Sequence, residues 1–332
     1  MRGRAEPRTG ATAPARPPTP TPSPVSPVSP YDVAIIGAGP AGLSAAIWLG
    51  RYLHSVVVVD SGDPRNWETR GVNGYLGLPR ITPPEMRGLG RDEARRYDVT
   101  LVDAVVERVE RCDDEHFVVH LEHGGTVSAR RLLLAIGIRD VWPEIPGLER
   151  CYGDKAHVCP DCDGYEARDR KTVVIGTGRR AVGMVLALAT WTTDLTLCTN
   201  GLDPELDDAL QAKLDALGVP TITDPVTRIH FREDTMRSLE FADRPPLGCE
   251  KLFFTIGQYP ADDIGDQLGC ERDEDGRIEV DRTQHTSVWN VFAAGDITPG
   301  SQLAIRAASE GAVAALAIHK SLLPEQLRMP ER

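Results

Sequence analysis

The sequence lacks an apolar run of about 20 residues, the length that a membrane-spanning helix needs. It is also poor in basic residues, because 37 Lys and Arg stand against 49 Asp and Glu in 332 residues, a formal net charge of −12. Residues 1–30 hold four arginines and one glutamate, or +3, so the remainder carries −15. A surface this acidic repels nucleic acid and anionic membranes. We therefore expect a soluble cytoplasmic protein with no nucleic-acid or membrane partner.

The sequence has few cysteines, and their number is odd. The seven are Cys112, Cys151, Cys159, Cys162, Cys198, Cys249 and Cys270. This count argues against a secreted disulfide scaffold. Only Cys159 and Cys162 are close together, and the others are expected to be small apolar core residues. There is no second CxxC, and neither His157 nor Cys151 has the usual ligand spacing, so we expect no metal, with half a zinc site as the alternative.

The first thirty residues have almost no side chains that could form a core, and nine of them are prolines. Such a segment cannot bury enough apolar surface to offset its chain entropy, so we predict that residues 1–30 are disordered. The segment is rich in Arg, Ser and Thr and nearly free of acids, which is also typical of a transit peptide. Proline at this density opposes the amphipathic helix that a transit peptide needs, so we favour a simple tail or a start codon placed too early.

A βαβ pattern opens the rest of the chain. The apolar stretch DVAIIG is followed by Gly37, Gly39 and Gly42 at GxGxxG spacing, then by a helical stretch and a second apolar stretch that ends at Asp60. In such a unit the glycines permit a tight turn, close approach of a pyrophosphate to the helix N-terminus, and close packing of helix and strand. The acid can bind a ribose hydroxyl. The pattern predicts a dinucleotide-binding unit.

A second such unit begins near Lys171, with Gly176, Gly178 and Ala181 as GxGxxA. Two strand-like stretches follow it, and then a long helical pattern from Ser301 that has no strand after it. The C-terminal part is therefore expected to return to the first unit. We predict an α/β fold of two Rossmann-like three-layer domains, the second inserted into the first. The expected bounds are 31–148 and 251–323 for the first domain, 149–250 for the insert, and 324–332 for a C-terminal tail.

The stretch HVCPDCDGYE places a CxxC just before the second glycine motif. Beside dinucleotide-binding units this spacing is typical of a redox dithiol, and it lets Cys159 and Cys162 reach disulfide geometry within one turn. Asp163 follows directly, either as an exposed turn residue or as an acid that exchanges the thiol proton. Asp161, between the cysteines, should disfavour the thiolate and so favour a reducing couple.

The order of these motifs, ending in VFAAGD, resembles the low-molecular-weight thioredoxin reductases of the flavoprotein disulfide reductase superfamily, from Tyr31 to about Leu323. The resemblance implies an FAD-dependent homodimer in which Cys162 lies next to the flavin, Cys159 exchanges with the substrate, and Asp163 is the acid–base group. The substrate would be a disulfide or dithiol, either a thioredoxin-like protein or a small molecule. The last helix would direct its N-terminus at the flavin ring, where its dipole stabilises the negative charge of the reduced form. The residues that would bind FAD are Gly37, Gly39, Pro40, Ala41, Gly42, Asp60, Gly137, Gly295, Asp296, Gln302, Leu303 and Ala304.

Three departures from the family pattern put NADPH in doubt. Members that use NADPH carry a basic cluster after the second strand of the insert, where this chain has LCTNG. QLA stands in place of Arg-Gln-Ala before the last helix, and SGDPRNW replaces Gly-Gly-Gln-Leu. These changes resemble a branch that includes dithiol oxidases of the gliotoxin and holomycin type and reductases fed by ferredoxin.

Arg179 and Arg180 stand inside the second glycine loop, at the N-terminus of a helix, where the helix dipole disfavours cations. They either bend into solvent or bind the phosphate of a nicotinamide cofactor or second flavin. For the whole chain we predict transfer of two electrons between FAD and a substrate through Cys159 and Cys162. The alternatives are a small-molecule dithiol oxidase that uses oxygen, and a flavin-binding module that reports redox state to a partner.

Overall fold

The computed structural model describes residues 30–112 and 116–328. The tail predicted to be disordered lies outside the described residues except for Pro30, and residues 329–332 of the predicted C-terminal tail also lie outside them. In the described ranges, no helix combines the length and the apolar character that a membrane crossing requires.

The chain first builds a mixed sheet. Its elements are β1 (Tyr31–Ile36), α1 (Pro40–Arg51), β2 (Val56–Asp60), α2 (Pro83–Arg95), β3 (Thr100–Asp103), β4 (Val106–Arg111), β5 (Phe117–Leu121) and β6 (Thr126–Leu134). The strands lie in the order β3-β2-β1-β6-β5-β4. β1 pairs in parallel with β2, to which α1 connects it, and also in parallel with β6. β4, β5 and β6 form an antiparallel meander. A turn at Gly124 and Gly125 joins β5 to β6, and both glycines have positive φ.

The chain then enters a second unit through β7 (Ile138–Val141). The elements that follow are β8 (Ala156–His157), α3 (Pro160–Asp163), β9 (Thr172–Gly176), α4 (Gly178–Leu188), β10 (Leu195–Cys198), α5 (Asp208–Leu217), β11 (Thr221–Ile222), β12 (Val226–Arg232), β13 (Thr235–Phe241), β14 (Leu247–Gly248) and β15 (Lys251–Thr255). A parallel sheet has the order β11-β10-β9-β15-β8, and β12, β13 and β14 form a small antiparallel sheet.

The C-terminal part returns to the first unit, as predicted. It contains β16 (Gly257–Pro260), α6 (Ile264–Gln267), β17 (Val291–Ala293) and α7 (Ala304–Leu322). β16 pairs antiparallel with β7, so the two crossings between the units run side by side. β17 pairs in parallel with β6 and completes the first sheet. The predicted fold class, with one α/β unit inserted into another, is confirmed.

Two expected bounds need correction. Residue 251 was expected to begin the return to the first domain, but β15 pairs with β9 and β8, so the second sheet extends to Thr255. The last helix begins at Ala304 rather than near Ser301, because Leu303 is still extended, with φ −113° and ψ 135°. Four of the five cysteines outside the CxxC are buried, as expected, whereas Cys112 is exposed.

Helix α7 packs closely against α1, and this contact directs both helix N-termini to the same side of the sheet. Gly311 makes the close approach possible, because a Cβ there would lie 2.0 Å from the carbonyl oxygen of Ala41. Neither helix has a side-chain hydrogen bond at its N-cap. The N-terminal N–H groups of α1 and α7 are therefore open to a ligand.

Candidate active site

A cavity of about 530 Å³ lies between the first glycine loop, the N-terminus of α7 and the CxxC. Almost every residue predicted to bind FAD or exchange electrons lines it: Gly37, Gly39, Pro40, Ala41, Asp60, Gly137, Cys159, Cys162, Asp163, Gly295, Asp296, Gln302, Leu303 and Ala304. Gly42 does not line the cavity, because it is buried behind the glycine loop. Residues from both units therefore meet at one site.

The first glycine loop has the shape that a pyrophosphate requires. Gly37 has a φ of +102°, and a Cβ there would lie 2.3 Å from the carbonyl oxygen of Ala135. A Cβ at Gly42 would lie 1.9 Å from the carbonyl oxygen of Gly37, so this glycine allows the helix to pack on the loop. A Cβ at Gly39 would meet no protein atom within 4 Å. The loop therefore leaves open space in front of the α1 N-terminus, which suits the ADP half of FAD.

Asp60 lies at the end of β2, and its carboxylate is held by the chain itself. Its Oδ1 accepts a hydrogen bond of 2.8 Å from the backbone N–H of Ala38, and its Oδ2 forms ion pairs with Arg87 and, at 3.8 Å, with Arg91. Arg87 and Arg91 come from α2, and Arg87 also lines the cavity. Neither arginine was predicted from the sequence, although Thr82 and Glu85 form a capping box that marks the start of α2.

Arg65, whose side chain is 15% exposed, connects several segments at the other end of the cavity. The Nη2 of Arg65 donates to Asp140 at 2.7 Å, and its Nη1 donates to Asp296 at 3.1 Å and to Gln302 at 2.7 Å. Burial by itself would lower the pKa of Arg65, but its hydrogen bond to Asp140 and the charges of Asp140 and Asp296 raise it above the ordinary value. Gln258 hydrogen-bonds to both Asp140 and Gln302. This network fixes Asp296 and Gln302, which the sequence analysis assigned to the flavin, and Arg65 belongs to the departing stretch SGDPRNW.

Cys159 and Cys162 form a disulfide with a Cα–Cα distance of 5.3 Å. The short helix α3 brings them together, because Pro160 starts the helix and the N–H of Cys162 points back at the Cys159 Sγ at 3.1 Å. Asn73, from the first unit, donates to the carbonyl oxygen of Cys162 at 3.1 Å and to the Oδ1 of Asp163 at 3.3 Å. The pair is therefore an intact disulfide that faces the cavity of the first unit.

Asp163 is not an exposed turn residue, since 16% of its side chain is accessible and its Oδ2 lies 3.3 Å from the Nδ1 of His157. His157 is itself buried and lies beside the buried Lys251. The carboxylate is therefore next to the disulfide and held between two side chains, Asn73 and His157. This placement suits a group that exchanges protons with the cysteines.

The second glycine loop differs from the first in what stands in front of it. Gly176 and Ala181 pack together below the loop, but the N–H of Gly178 donates to the carbonyl oxygen of Pro204 at 2.9 Å. The carboxylate of Glu205 lies 3.4 Å from the Thr177 hydroxyl and would lie 3.1 Å from a Cβ at Gly178. The chain's own segment therefore occupies the place where a pyrophosphate would bind a loop of this kind.

Glu205 adopts a φ of +53°, a conformation uncommon for residues other than glycine. The two arginines of the same loop are exposed. Arg180 forms an ion pair with Asp275, which belongs to the returning part of the chain. The structure therefore gives Arg180 a carboxylate partner, which neither sequence interpretation included.

The family described as pyridine nucleotide-disulphide oxidoreductase matches residues 31–311. The chain belongs to this family. Thioredoxin reductase tcpT of Claviceps purpurea is 32% identical over 275 residues, which cover 80% of this chain and 86% of that protein. The solved structure of HlmI is 36% identical, covers 88% of this chain and 92% of its own, and superposes with a TM-score of 0.84. An oxidoreductase from Agrobacterium tumefaciens is 32% identical, with coverage of 88% and 98% and a TM-score of 0.79.

Membership of this family confirms the resemblance to low-molecular-weight thioredoxin reductases and the prediction that the protein is a disulfide oxidoreductase. The family implies FAD as the cofactor. The glycine loop with open space in front of it, and the two uncapped helix N-termini, fit that group.

We expect Gly39→Leu to abolish retention of FAD without unfolding this disulfide oxidoreductase. The backbone there has a φ of −77°, which any residue adopts, and the added side chain meets only the space that the pyrophosphate needs. The measurement is the FAD-to-protein ratio after gel filtration, together with a thermal melt.

Gly183→Leu is the matched control, because Gly183 is an exposed helical glycine whose Cβ also meets no protein atom within 4 Å. Full FAD occupancy in the Gly39→Leu protein would contradict the assignment of the first glycine loop.

We expect Arg65→Met to lower the free energy of unfolding by about 3 kcal/mol or more, because it leaves the charge of Asp140 buried without its partner. The Asp140 side chain is 5% exposed. Adding Asp140→Asn to Arg65→Met should recover part of the loss, since the unpaired charge is then gone. Urea unfolding of the apoprotein measures both.

Arg139→Met is the control for this pair. Its ion pair with Asp63 joins a side chain that is 30% exposed to one that is 66% exposed, so the loss should stay below about 1 kcal/mol. Equal losses in Arg65→Met and Arg139→Met would show that the Arg65 network does not hold the site together.

Proposed function

We propose that the protein moves electron pairs between FAD in the first unit and a disulfide or dithiol substrate, with Cys159 and Cys162 as the relay. The observation that carries this proposal is the disulfide of the second unit, which opens onto the predicted FAD cavity of the first. When bound there, FAD supplies an acceptor and donor of two electrons beside the sulfurs.

The chemistry of the cysteine pair balances in either direction. In the reducing direction the disulfide takes up two electrons and two protons and becomes a dithiol. The thiolate of Cys159 then attacks one sulfur of the substrate disulfide and displaces the other as a thiolate, which is protonated. Cys162 attacks the resulting mixed disulfide at Cys159, releases the second substrate thiol and restores the starting disulfide. The oxidising direction is the reverse of these steps.

The electron source that we propose is a dithiol or a protein donor rather than NADPH. A 2′-phosphate is normally bound by Arg or Lys. The stretch LCTNG at the end of β10, where the family has its basic cluster, contains neither. The carboxylate of Glu205 faces the glycine loop and would repel a pyrophosphate at that point. Arg180 is already paired with Asp275. These three features together favour a second unit that no longer takes a nicotinamide cofactor.

We further propose a cytoplasmic homodimer, with a thioredoxin-like protein or a small molecule as the substrate. Cys112 is exposed and free, which suits a compartment that keeps thiols reduced. Apolar side chains at Ile305, Val313 and Leu316 recur along α7 at helical spacing and are partly exposed, so they offer a surface that a second copy could cover.

Replacing either cysteine by serine should abolish disulfide turnover and leave FAD bound. We expect Cys159→Ser to show a long-wavelength charge-transfer absorption band, because it leaves Cys162 as a thiolate beside the oxidised flavin. The measurement is the visible spectrum of each purified variant. A band in Cys162→Ser alone would reverse the roles of the two sulfurs, and turnover in either variant would contradict the relay.

NADPH should reduce the flavin poorly compared with a dithiol. The test is anaerobic titration of the oxidised protein with NADPH, NADH and dithiothreitol, followed by flavin bleaching. The same titration is repeated with two variants. Arg179→Ala/Arg180→Ala tests whether the cations of the second glycine loop bind NADPH, and Glu205→Ala tests whether the carboxylate in front of that loop excludes it.

We expect NADPH to remain a poor donor to the double-arginine variant and ADP-ribose to bind more tightly to Glu205→Ala than to the wild type, measured by calorimetry. Rapid bleaching of the wild type at micromolar NADPH, lost in the double variant, would overturn the proposal.

A further inference from the structure

Behind Asp163, on the side away from the predicted flavin cavity, two buried polar side chains, His157 and Lys251, continue a hydrogen-bonded row from the carboxylate. The Nδ1 of His157 lies 3.3 Å from the Oδ2 of Asp163, and its Nε2 lies 3.1 Å from the Nζ of Lys251. Only 5% of His157 and 7% of Lys251 are exposed. Lys251 opens β15, His157 closes β8, and these two strands pair in parallel. The register pairs His157 with Phe253, so Lys251, two residues earlier on β15, lies on the same face of the sheet as His157.

The surroundings of the imidazole decide which of its nitrogens carries the proton. The Nε2 of His157 also lies 3.1 Å from the carbonyl oxygen of Asp154, which can only accept, and Lys251 donates to that same oxygen at 2.7 Å. A charged lysine has three N–H groups and no acceptor. It can therefore satisfy the Asp154 carbonyl and donate to the Nε2 of His157 at once, which leaves the proton on Nδ1, facing Asp163.

Without the ammonium group of Lys251, the imidazole proton of His157 prefers Nε2 to Nδ1. The Asp154 carbonyl would then attract the proton to Nε2, and the lone pair of Nδ1 would face the carboxylate of Asp163. That arrangement repels an ionised Asp163, whereas an Nδ1–H donor stabilises it. The charge on Lys251 therefore reaches Asp163 through the choice of tautomer.

We propose that Lys251 is a positioning residue for proton exchange at Asp163, because it fixes His157 as the tautomer that donates from Nδ1 to the carboxylate. This inference rests on the proposed function, in which Asp163 serves the cysteine pair. When a thiol of the pair ionises, its proton passes to the carboxylate of Asp163. When the disulfide is reduced, the same proton returns to sulfur. Lys251 and His157 touch neither sulfur and act only through Asp163.

Protons can reach Asp163, His157 and Lys251 from solvent. A polar cavity of about 410 Å³ adjoins Asn73, His157, Asp163 and Lys251 but neither cysteine. Burial, and then the charge of Lys155, lower the pKa of Lys251, while Asp154, Asp163 and Glu166 act in the opposite direction. The remaining charged groups around the cavity are Arg70, Arg80, Arg170, Arg237 and Glu250.

The test is the pH dependence of flavin reduction by dithiothreitol in the FAD-loaded protein. Lys251→Met should move the acidic limb of this profile upward by about one pH unit, because the carboxylate of Asp163 loses its Nδ1–H donor. Lys155→Met is the matched control, because Lys155 is a neighbouring lysine whose side chain is 36% exposed and pairs with the Asp154 carboxylate at 4.0 Å; the acidic limb of this variant should not move. Lys251→Leu is a second neutral variant should the methionine protein not fold.

A double-mutant cycle separates the tautomer from a simple charge effect. In a His157→Gln background the amide can donate to Asp163 whatever Lys251 does, so adding Lys251→Met should produce no further shift. A shift of equal size in both backgrounds would show a direct electrostatic effect of Lys251 and overturn the proposal.

The tautomer itself can be read without turnover. Nitrogen-15 NMR of the histidine rings should show the His157 proton on Nδ1 in the wild type and on Nε2 in Lys251→Met. An unchanged tautomer would overturn the proposal. This readout stays valid even if no dithiol reduces the flavin, which would contradict the proposed function instead.

Discussion

The hydrogen bonds that Asn73 donates to Cys162 and Asp163 join the two units at the point where electrons must pass. The disulfide belongs to the insert, whereas the predicted flavin cavity belongs to the first unit. Two-electron exchange between them requires contact, so the insert has to be held against the first unit at this place. The antiparallel pairing of β7 with β16 supplies the connection, and Asn73 fixes the end that carries the sulfurs.

The two glycine loops share a sequence pattern but differ in what lies in front of them. In front of the first loop there is open space at Gly39, whereas Pro204 and Glu205 stand in front of the second. The difference arises from the segment between β10 and α5, which lies against the second loop. The glycine motif alone does not predict where that distant segment lies. We propose that the second unit serves to position the CxxC, which follows β8, and the His157–Lys251 pair.

Much of the fold could be predicted from the sequence because short, continuous stretches of residues specify its main helices and strands. Continuous apolar strands and glycine motifs define β1, α1 and β2, and the second unit repeats them. The boundary at residue 250 was wrong because β15 is an apolar strand that fits either sheet, and only its pairing with β9 places it in the second. Helix α2 was missed, although the pattern from Thr82 to Glu85 marks its N-terminus.

The glycine loop, the CxxC and the VFAAGD stretch could be placed at one site because each is a short sequence motif, whereas Arg87, which also lines the cavity, belongs to none. The side chains that support them were not predicted, since their partners are far apart in sequence. His157 and Lys251 are 94 residues apart, and Arg65 is 75 residues from Asp140. No local pattern predicts such pairs, because tertiary packing alone brings them together.

The central claim is that the flavin and the Cys159–Cys162 disulfide form one electron-transfer unit. Anaerobic titration of the FAD-loaded protein with dithionite tests it most directly, by counting the electrons taken up per flavin. Our account predicts two electron pairs per FAD in the wild type, and one pair in a variant with both cysteines replaced by serine. Uptake of a single pair by the wild type, equal to that of the variant, would contradict it.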